Sequence, residues 1–231
     1  MSLPETRIYP DADALAEGAA DLVAQLLASA IAARGRASIA LSGASTPQPT
    51  HRLLAARPLD WSVVDVFFGD ERCVPPGDPA SNYRMARESL LDHVPARVHR
   101  IEGELPAAEA ATRYAAILAG ALPLDVVMLG VGNDGHTASL FPHTTDLPAG
   151  AIVVATESPV PPHDRVTMTY EVIRGAGARV LLVCGSSKAA RLAEVYGELM
   201  AGCPQLPIAR VGPTIWMMDE AAASQLPRRT S

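Results

Sequence analysis

The sequence lacks an excess of basic charge. Its 19 lysine and arginine residues are outnumbered by 25 aspartate and glutamate residues, which gives a formal charge of −6 at pH 7. The basic pair Arg228-Arg229 near the tail is too short to form a basic patch. We therefore expect neither nucleic acid nor an anionic membrane surface as a partner.

Segments that direct a chain into or across a membrane are also missing from the pattern. Residues 1–20 contain no basic run followed by an apolar core, and Gly, Asp or Pro interrupts the apolar runs well short of a membrane span. The three cysteines, Cys73, Cys184 and Cys203, include no C-x-x-C pair and are interpreted as reduced thiols. Together these absences predict a cytoplasmic protein.

What is present is a globular pattern, with 48% hydrophobic and 19% charged residues. Helical spacing predicts helices over 11–34, 50–56, 81–94, 107–119 and 186–200. Short β-branched runs predict strands over 37–42, 61–72, 124–132, 151–156, 179–185 and 215–219. The alternation predicts a single α/β domain over residues 1–231, built on a mainly parallel, Rossmann-like sheet with helices on both faces.

Four polar segments follow predicted strands: SGASTP (42–47), GDER (69–72), GNDGH (132–136) and CGSSK (184–188). Ligands of such sheets bind beyond the carboxyl ends of the strands. We therefore expect these segments to converge at one edge of the sheet.

The segment LGVGNDGHTASLFP (129–142) contains G-x-G-x-x-G, the letters of a dinucleotide-binding fingerprint. A strand precedes it, and Glu157 follows 22 residues after Gly135, close to the spacing of a ribose-binding acid. However, Pro142 and Pro148 leave no room for the crossover helix that the fingerprint requires. We therefore expect a tight turn that presents His136, and no bound dinucleotide.

Other catalytic patterns are incomplete. Gly185-Ser186-Ser187 resembles a nucleophile elbow, but all six histidines precede it, and the α/β-hydrolase order needs a histidine after the serine. No H-E-x-x-H is present, and His136 and His143 are interpreted as unrelated loop histidines rather than a metal pair. We expect no metal.

An anion site remains possible at GASTP, where small residues, hydroxyls and a helix N-terminus come together. Lys188 begins another helix at the same edge and could add positive charge. The alternatives are an ordinary capped turn and a solvated lysine.

In order and spacing, LSGASTP, FFGDERCVPPGDPASNYRMA, LDVVMLGVGNDGHTASLFP, RVTMTYEVI and LLVCGSSKA resemble the 6-phosphogluconolactonases, over residues 8–220. That superfamily includes glucosamine-6-phosphate deaminases, but D-E-R-x-V-P, S-N-Y and H-T-A-S-L-F-P favour the lactonase. Ala44 departs from the family, which usually has a second glycine there. The resemblance implies a Rossmann-type fold without a dinucleotide, 6-phospho-D-glucono-1,5-lactone as substrate, and no metal or organic cofactor.

The resemblance also implies roles for residues. His136 would be the general base, with Asp134 orienting its ring or the water. Arg72 would stabilise the oxyanion. Glu71 and Asn82 would hold Arg72 or sugar hydroxyls, unless they serve only as loop caps.

The substrate phosphate would be bound by one set of residues: Gly43, Ala44, Ser45, Thr46, Arg165 and Lys188. Two other functions stay open at this point: a deaminase or isomerase of an amino-sugar phosphate, and a non-catalytic sugar-phosphate sensor. The sequence leaves monomer and small homo-oligomer equally open.

Overall fold

The computed structural model describes residues 3–43, 46–144, 147–212 and 214–227. The strands are β1 (Glu5–Tyr9), β2 (Ala37–Leu41), β3 (Val64–Phe68), β4 (Asp70–Arg72), β5 (Arg97–Val98), β6 (Val126–Leu129), β7 (Val153–Glu157), β8 (Asp164–Met168), β9 (Ala178–Val183) and β10 (Ile215–Asp219). The helices are α1 (Ala12–Arg34), α2 (Pro47–Ala55), α3 (Asn82–Ser89), α4 (Ala107–Ala119), α5 (Tyr170–Gly175), α6 (Ala189–Ala201), α7 (Pro207–Arg210) and α8 (Glu220–Ala223).

The larger sheet has seven strands in the order β1-β10-β9-β6-β2-β3-β5, and all of its pairs are parallel. Every residue of the central strands β2 and β6 is buried, as expected of parallel strands that helices cover. The predicted mainly parallel α/β sheet, flanked by helices, is confirmed.

A second, antiparallel sheet has the order β4-β8-β7. The prediction of one strand over 61–72 is wrong, because the chain changes sheets at Gly69. The Gly69 N–H donates to Leu41 O of the large sheet at 3.0 Å, while Gly69 O accepts from Met168 N of the small sheet at 2.9 Å. The segment GDER therefore lies where the two sheets meet.

Helix α1 follows the prediction closely. The Asp11 side chain caps it by accepting from the Ala14 N–H, and Gly35, with φ of 72°, ends it. Gly18 and Asp21 do not interrupt the helix, so by length and composition alone it could cross a bilayer, with a mean hydropathy of 1.4 over its most apolar window. About half of that window is buried (44%), and the inner face of α1 belongs to the hydrophobic core.

Helix α3 ends earlier than predicted. Ser81 caps it, since its Oγ accepts from the Arg84 N–H at 3.2 Å. The α-helix stops at Ser89, because Leu90 has φ of −141°, and a short 3₁₀ turn continues over Leu91–His93. Helix α4 has the bounds that the sequence predicts.

Candidate active site

The four polar segments meet at the carboxyl edge of the large sheet, as predicted. They surround a cavity of about 210 Å³. Its walls are formed by Ser42, Gly43, Asp70, Arg72, Asn82, Gly130, Val131, Gly132, His136, Ala138 and Lys188. Each of the four segments contributes at least one of these side chains or backbone groups.

The glycines at 132 and 135 build a tight turn. The Gly132 N–H donates to His136 O at 2.9 Å, the Gly135 N–H donates to Gly132 O at 3.0 Å, and Gly135 has φ of 86°. A Cβ on Gly132 would lie 2.1 Å from Nδ1 of His136 and 2.6 Å from Oδ1 of Asp134. Residues 130–144 and 147–152 contain no helix. The prediction that no crossover helix follows these glycines is confirmed for the described residues.

His136 and Asp134 form a hydrogen-bonded pair at the cavity. Nδ1 of His136 lies 2.6 Å from Oδ1 of Asp134, which also accepts from the His136 N–H at 3.1 Å. Burial alone would raise the pKa of Asp134, but the N–H groups and charge of His136 outweigh it and lower that pKa. The ionised carboxylate therefore favours the tautomer with the proton on Nδ1, which leaves the lone pair on Nε2.

Arg72 and Arg165 lie directly opposite each other on β4 and β8. Nη1 of Arg72 donates to Ala80 O at 2.5 Å, while its buried Nε has no hydrogen-bond partner among the described residues. Arg165 is buried, is not one of the residues that line the cavity, and donates to Pro162 O at 2.8 Å and Ser158 Oγ at 3.3 Å. Burial, and then the charge of Arg72, lower the pKa of Arg165. Like charges opposed in this way are unfavourable unless an anion offsets them.

Lys188 ends a 3₁₀ turn after β9 and lines the cavity. Among the residues that the structure describes, Arg72, Arg165 and Lys188 take part in no salt bridge with a carboxylate within 4.0 Å. Two cations that line one cavity without carboxylate partners, with a third opposite one of them on the neighbouring strand, favour the binding of an anion.

Asn82 and Asp70 form another part of the cavity wall. Nδ2 of Asn82 donates to Asp70 O at 2.9 Å and to Asp70 Oδ1 at 3.1 Å, while Asp70 Oδ2 accepts from Ser139 Oγ at 2.6 Å. Gly43 is required beside them, since a Cβ there would lie 2.0 Å from Oδ1 of Asn82. Sequence reasoning missed Asp70 and Ser42, although both lie in segments that it had singled out.

Glu71 does not line the cavity. Its buried carboxylate accepts from Arg72 N, Asn82 N and Tyr83 N at 2.7–2.8 Å and from Ser81 Oγ at 3.0 Å. Burial raises its pKa, against the lowering effect of these donors. Its position at the N-terminus of α3 matches the loop-capping alternative rather than contact with a substrate.

The phosphate loop is described only in part. Gly43 lines the cavity, Thr46 immediately precedes α2, and Pro47 occupies the first turn of that helix. Ala44 and Ser45, both assigned to phosphate binding, lie outside the described residues. Within the described ranges, no group of three His, Cys, Asp or Glu side chains could hold a metal ion.

Comparisons with known proteins agree with one another. The model of a family described as "Glucosamine-6-phosphate isomerases/6-phosphogluconolactonase" matches residues 10–217. The chain is 39% identical to a 6-phosphogluconolactonase from a Nostoc species, over 95% of this chain and 97% of that protein. It is 44% identical to one from Rhizobium meliloti, over 81% and 85% of the two chains.

Solved structures give the same result. A 6-phosphogluconolactonase from Shewanella baltica superposes with a TM-score of 0.86 at 31% identity, over 94% of this chain and 97% of the other. A monomeric glucosamine-6-phosphate deaminase has a TM-score of 0.81 at 20% identity, over 96% and 99% of the two chains. The likeness to the deaminase concerns the fold alone.

Proposed function

Since the chain belongs to the family of glucosamine-6-phosphate isomerases and 6-phosphogluconolactonases, we propose that it hydrolyses 6-phospho-D-glucono-1,5-lactone to 6-phospho-D-gluconate. This is a step of the oxidative pentose phosphate pathway. The observation that carries the proposal is the His136–Asp134 pair on a cavity lined by two cations without carboxylate partners, Arg72 and Lys188. The pair supplies a base for hydrolysis of the lactone, and the cations supply positive charge for its phosphate group.

His136 is the general base of the proposed reaction. Its Nε2 takes a proton from water as the water oxygen attacks the lactone carbonyl carbon. The negative charge that develops on the carbonyl oxygen is stabilised by the guanidinium of Arg72, which lines the cavity. Collapse of the tetrahedral intermediate breaks the ring C–O bond, and the protonated imidazole returns the proton to the departing ring oxygen.

Asp134 keeps His136 in the tautomer that this step needs. Its contact with Nδ1 is 2.6 Å, and the ion pair stabilises the imidazolium formed after proton transfer. The hydrogen bond from the His136 backbone fixes the same carboxylate oxygen, so ring and acid move little relative to each other.

The phosphate is bound in this proposal by Lys188 and by the loop Gly43, Ala44, Ser45 and Thr46. Arg165, which lies directly opposite Arg72 on the neighbouring strand β8, adds positive potential. Asn82, whose side-chain amide is held by Asp70 and not by Arg72, is assigned to the sugar hydroxyls, and Glu71 acts only indirectly by fixing the start of α3. We also propose a single cytoplasmic domain over residues 1–231, as a monomer or small homo-oligomer that binds neither nucleic acid nor membrane.

A pH-stat assay with freshly prepared 6-phosphoglucono-1,5-lactone tests the proposal. Acid release must exceed spontaneous hydrolysis in proportion to enzyme concentration. In parallel, ammonia release from glucosamine 6-phosphate is measured. Ammonia without lactone hydrolysis would assign the deaminase reaction, and binding of 6-phosphogluconate without any turnover would assign the sensor.

A further inference from the structure

Lys188 differs from the other cations of the chain. It is the only lysine among the 19 lysine and arginine residues, and it lines the cavity. No carboxylate of the described residues lies within 4.0 Å of its Nζ, which instead donates to the side-chain Oδ1 of Asn133 at 2.7 Å. The ammonium is therefore held by a neutral acceptor.

Asn133 is also fixed through its backbone. Its carbonyl oxygen accepts from Nε of Arg191 at 2.8 Å, and Arg191 is held in turn by Glu194 at 2.5 Å. Asn133 directly precedes Asp134 in the turn that presents His136. It therefore connects the turn that carries the proposed base with Lys188, which directly precedes α6, and with Arg191 in α6.

We propose that Asn133 is a positioning residue, whose amide oxygen holds the Lys188 ammonium at the cavity wall for the substrate phosphate. The inference rests on the proposed function, because that function assigns the phosphate to Lys188. An amide oxygen orients an ammonium through one of its three N–H groups and leaves its charge uncompensated. A carboxylate at position 133 would form an ion pair and compete with the phosphate.

The electrostatics of Lys188 make this testable at the lysine itself. Burial lowers the pKa of Lys188, and the nearby charge of Asp134 acts in the opposite direction. A further carboxylate in contact with Nζ would favour the charged form and raise that pKa. Asn133→Asp should therefore change the titration of the lysine in a known direction.

The kinetic test uses Asn133→Ala and Asn133→Asp, with Gln25→Ala on the exposed side of α1 as a matched amide-removal control. We expect KM for the phosphorylated lactone to rise about threefold in Asn133→Ala, less than on loss of the lysine itself because the ammonium is kept and loses only its orienting hydrogen bond, and further in Asn133→Asp. The kcat should change by less than about twofold, and KM for unphosphorylated glucono-1,5-lactone should not change. An unchanged KM for the phosphorylated lactone in both variants would overturn the assignment.

A second measurement does not depend on activity. Because the chain has one lysine, trace acetylation at a series of pH values followed by mass spectrometry reports the titration of Lys188 alone, once the amino terminus is separated as its own peptide. We expect the midpoint to lie at higher pH in Asn133→Asp than in wild type, and an identical midpoint would overturn the contact. If the wild type did not hydrolyse the phospholactone, the proposed function would fall while this titration still decided the role of Asn133.

Discussion

Two His–Asp pairs lie at opposite edges of the same sheet, and their surroundings differ. At the carboxyl edge, His136 contacts Asp134 at 2.6 Å beside cations that have no carboxylate partners. At the amino edge, His99 contacts Asp65 at 2.8 Å, but Arg97 already holds the same carboxylate and the His99 ring stacks on Phe67 at 4.6 Å.

Of these two edges, cavity size alone would favour the amino edge. The amino-edge cavity, lined by Asp65 and His99, has about 670 Å³ against about 210 Å³ at the carboxyl edge. Both carboxylates that line this cavity already have hydrogen-bond donors. Asp125 accepts from Arg34 and Ser38, and Asp65 accepts from Arg97 and His99. If the proposed function is correct, paired cations without carboxylate partners indicate the binding site better than cavity volume does.

Replacing each histidine should give the largest contrast. We expect His136→Ala to lose about 10³-fold or more in kcat for the phospholactone, because both the base and the imidazolium are removed. His99→Ala should keep kcat and lose stability instead. The pH-stat assay measures both, and a near-normal kcat in His136→Ala would remove it as the base.

A third histidine should affect stability alone. His51 is a fully buried residue of α2 whose ring contacts Ser89 of α3, and burial lowers its pKa from 6.5 to about 4. As pH falls, His51 therefore takes up a proton in the unfolded chain at a higher pH than in the folded protein. The free energy of unfolding keeps the full contribution of the neutral imidazole above about pH 6.5, and it falls by about 3 kcal/mol by pH 4.

Denaturant unfolding at several pH values measures this loss. In the His51→Gln variant, the free energy of unfolding should depend less steeply on pH between pH 6.5 and 4 than in wild type. The exposed His93→Gln serves as the control and should keep the wild-type slope. Equal slopes for wild type and His51→Gln would contradict the buried neutral imidazole.

Replacing each aspartate separates orientation from stability. Asp134→Asn should lower kcat by about 10²-fold through the wrong imidazole tautomer, with little change in Tm. Asp65→Asn should leave kcat unchanged and lower Tm by about 3 °C, as its bonds to Arg97 and His99 weaken. If both variants lost kcat alike, the two edges would not be functionally distinct.

The smallest expected contrast concerns the cations. Lys188→Ala should raise KM for the phospholactone about tenfold with kcat largely preserved, because the phosphate contact is formed in both the ground and transition states. Arg97→Ala, at the amino edge, should leave KM unchanged. Steady-state kinetics decide, and an unchanged KM for Lys188→Ala would remove the lysine from the phosphate site.

Sequence periodicity predicts the elements whose signals are local. Helix α1 has its cap at Asp11 and its stop at Gly35, and α4 has a regular apolar face. The change of sheets at Gly69 could not be predicted, because an apolar strand pattern does not say which strand it pairs with. The same reason hides the antiparallel pairing of β7.

The candidate site, like the fold, could be predicted from the sequence only where its signals are local. Its segments follow strand ends, so their convergence and the tight turn at Gly132 and Gly135 are set by topology and local sterics. The capping position of Glu71 and the contact between Lys188 and Asn133 depend on long-range packing. Periodicity holds no information on such contacts.

The most direct test compares kcat/KM for 6-phosphoglucono-1,5-lactone and unphosphorylated glucono-1,5-lactone in the wild-type protein. If the unpartnered cations of the carboxyl edge bind the phosphate, the phosphorylated substrate should be preferred by about 100-fold or more. Equal values for the two lactones would contradict the account.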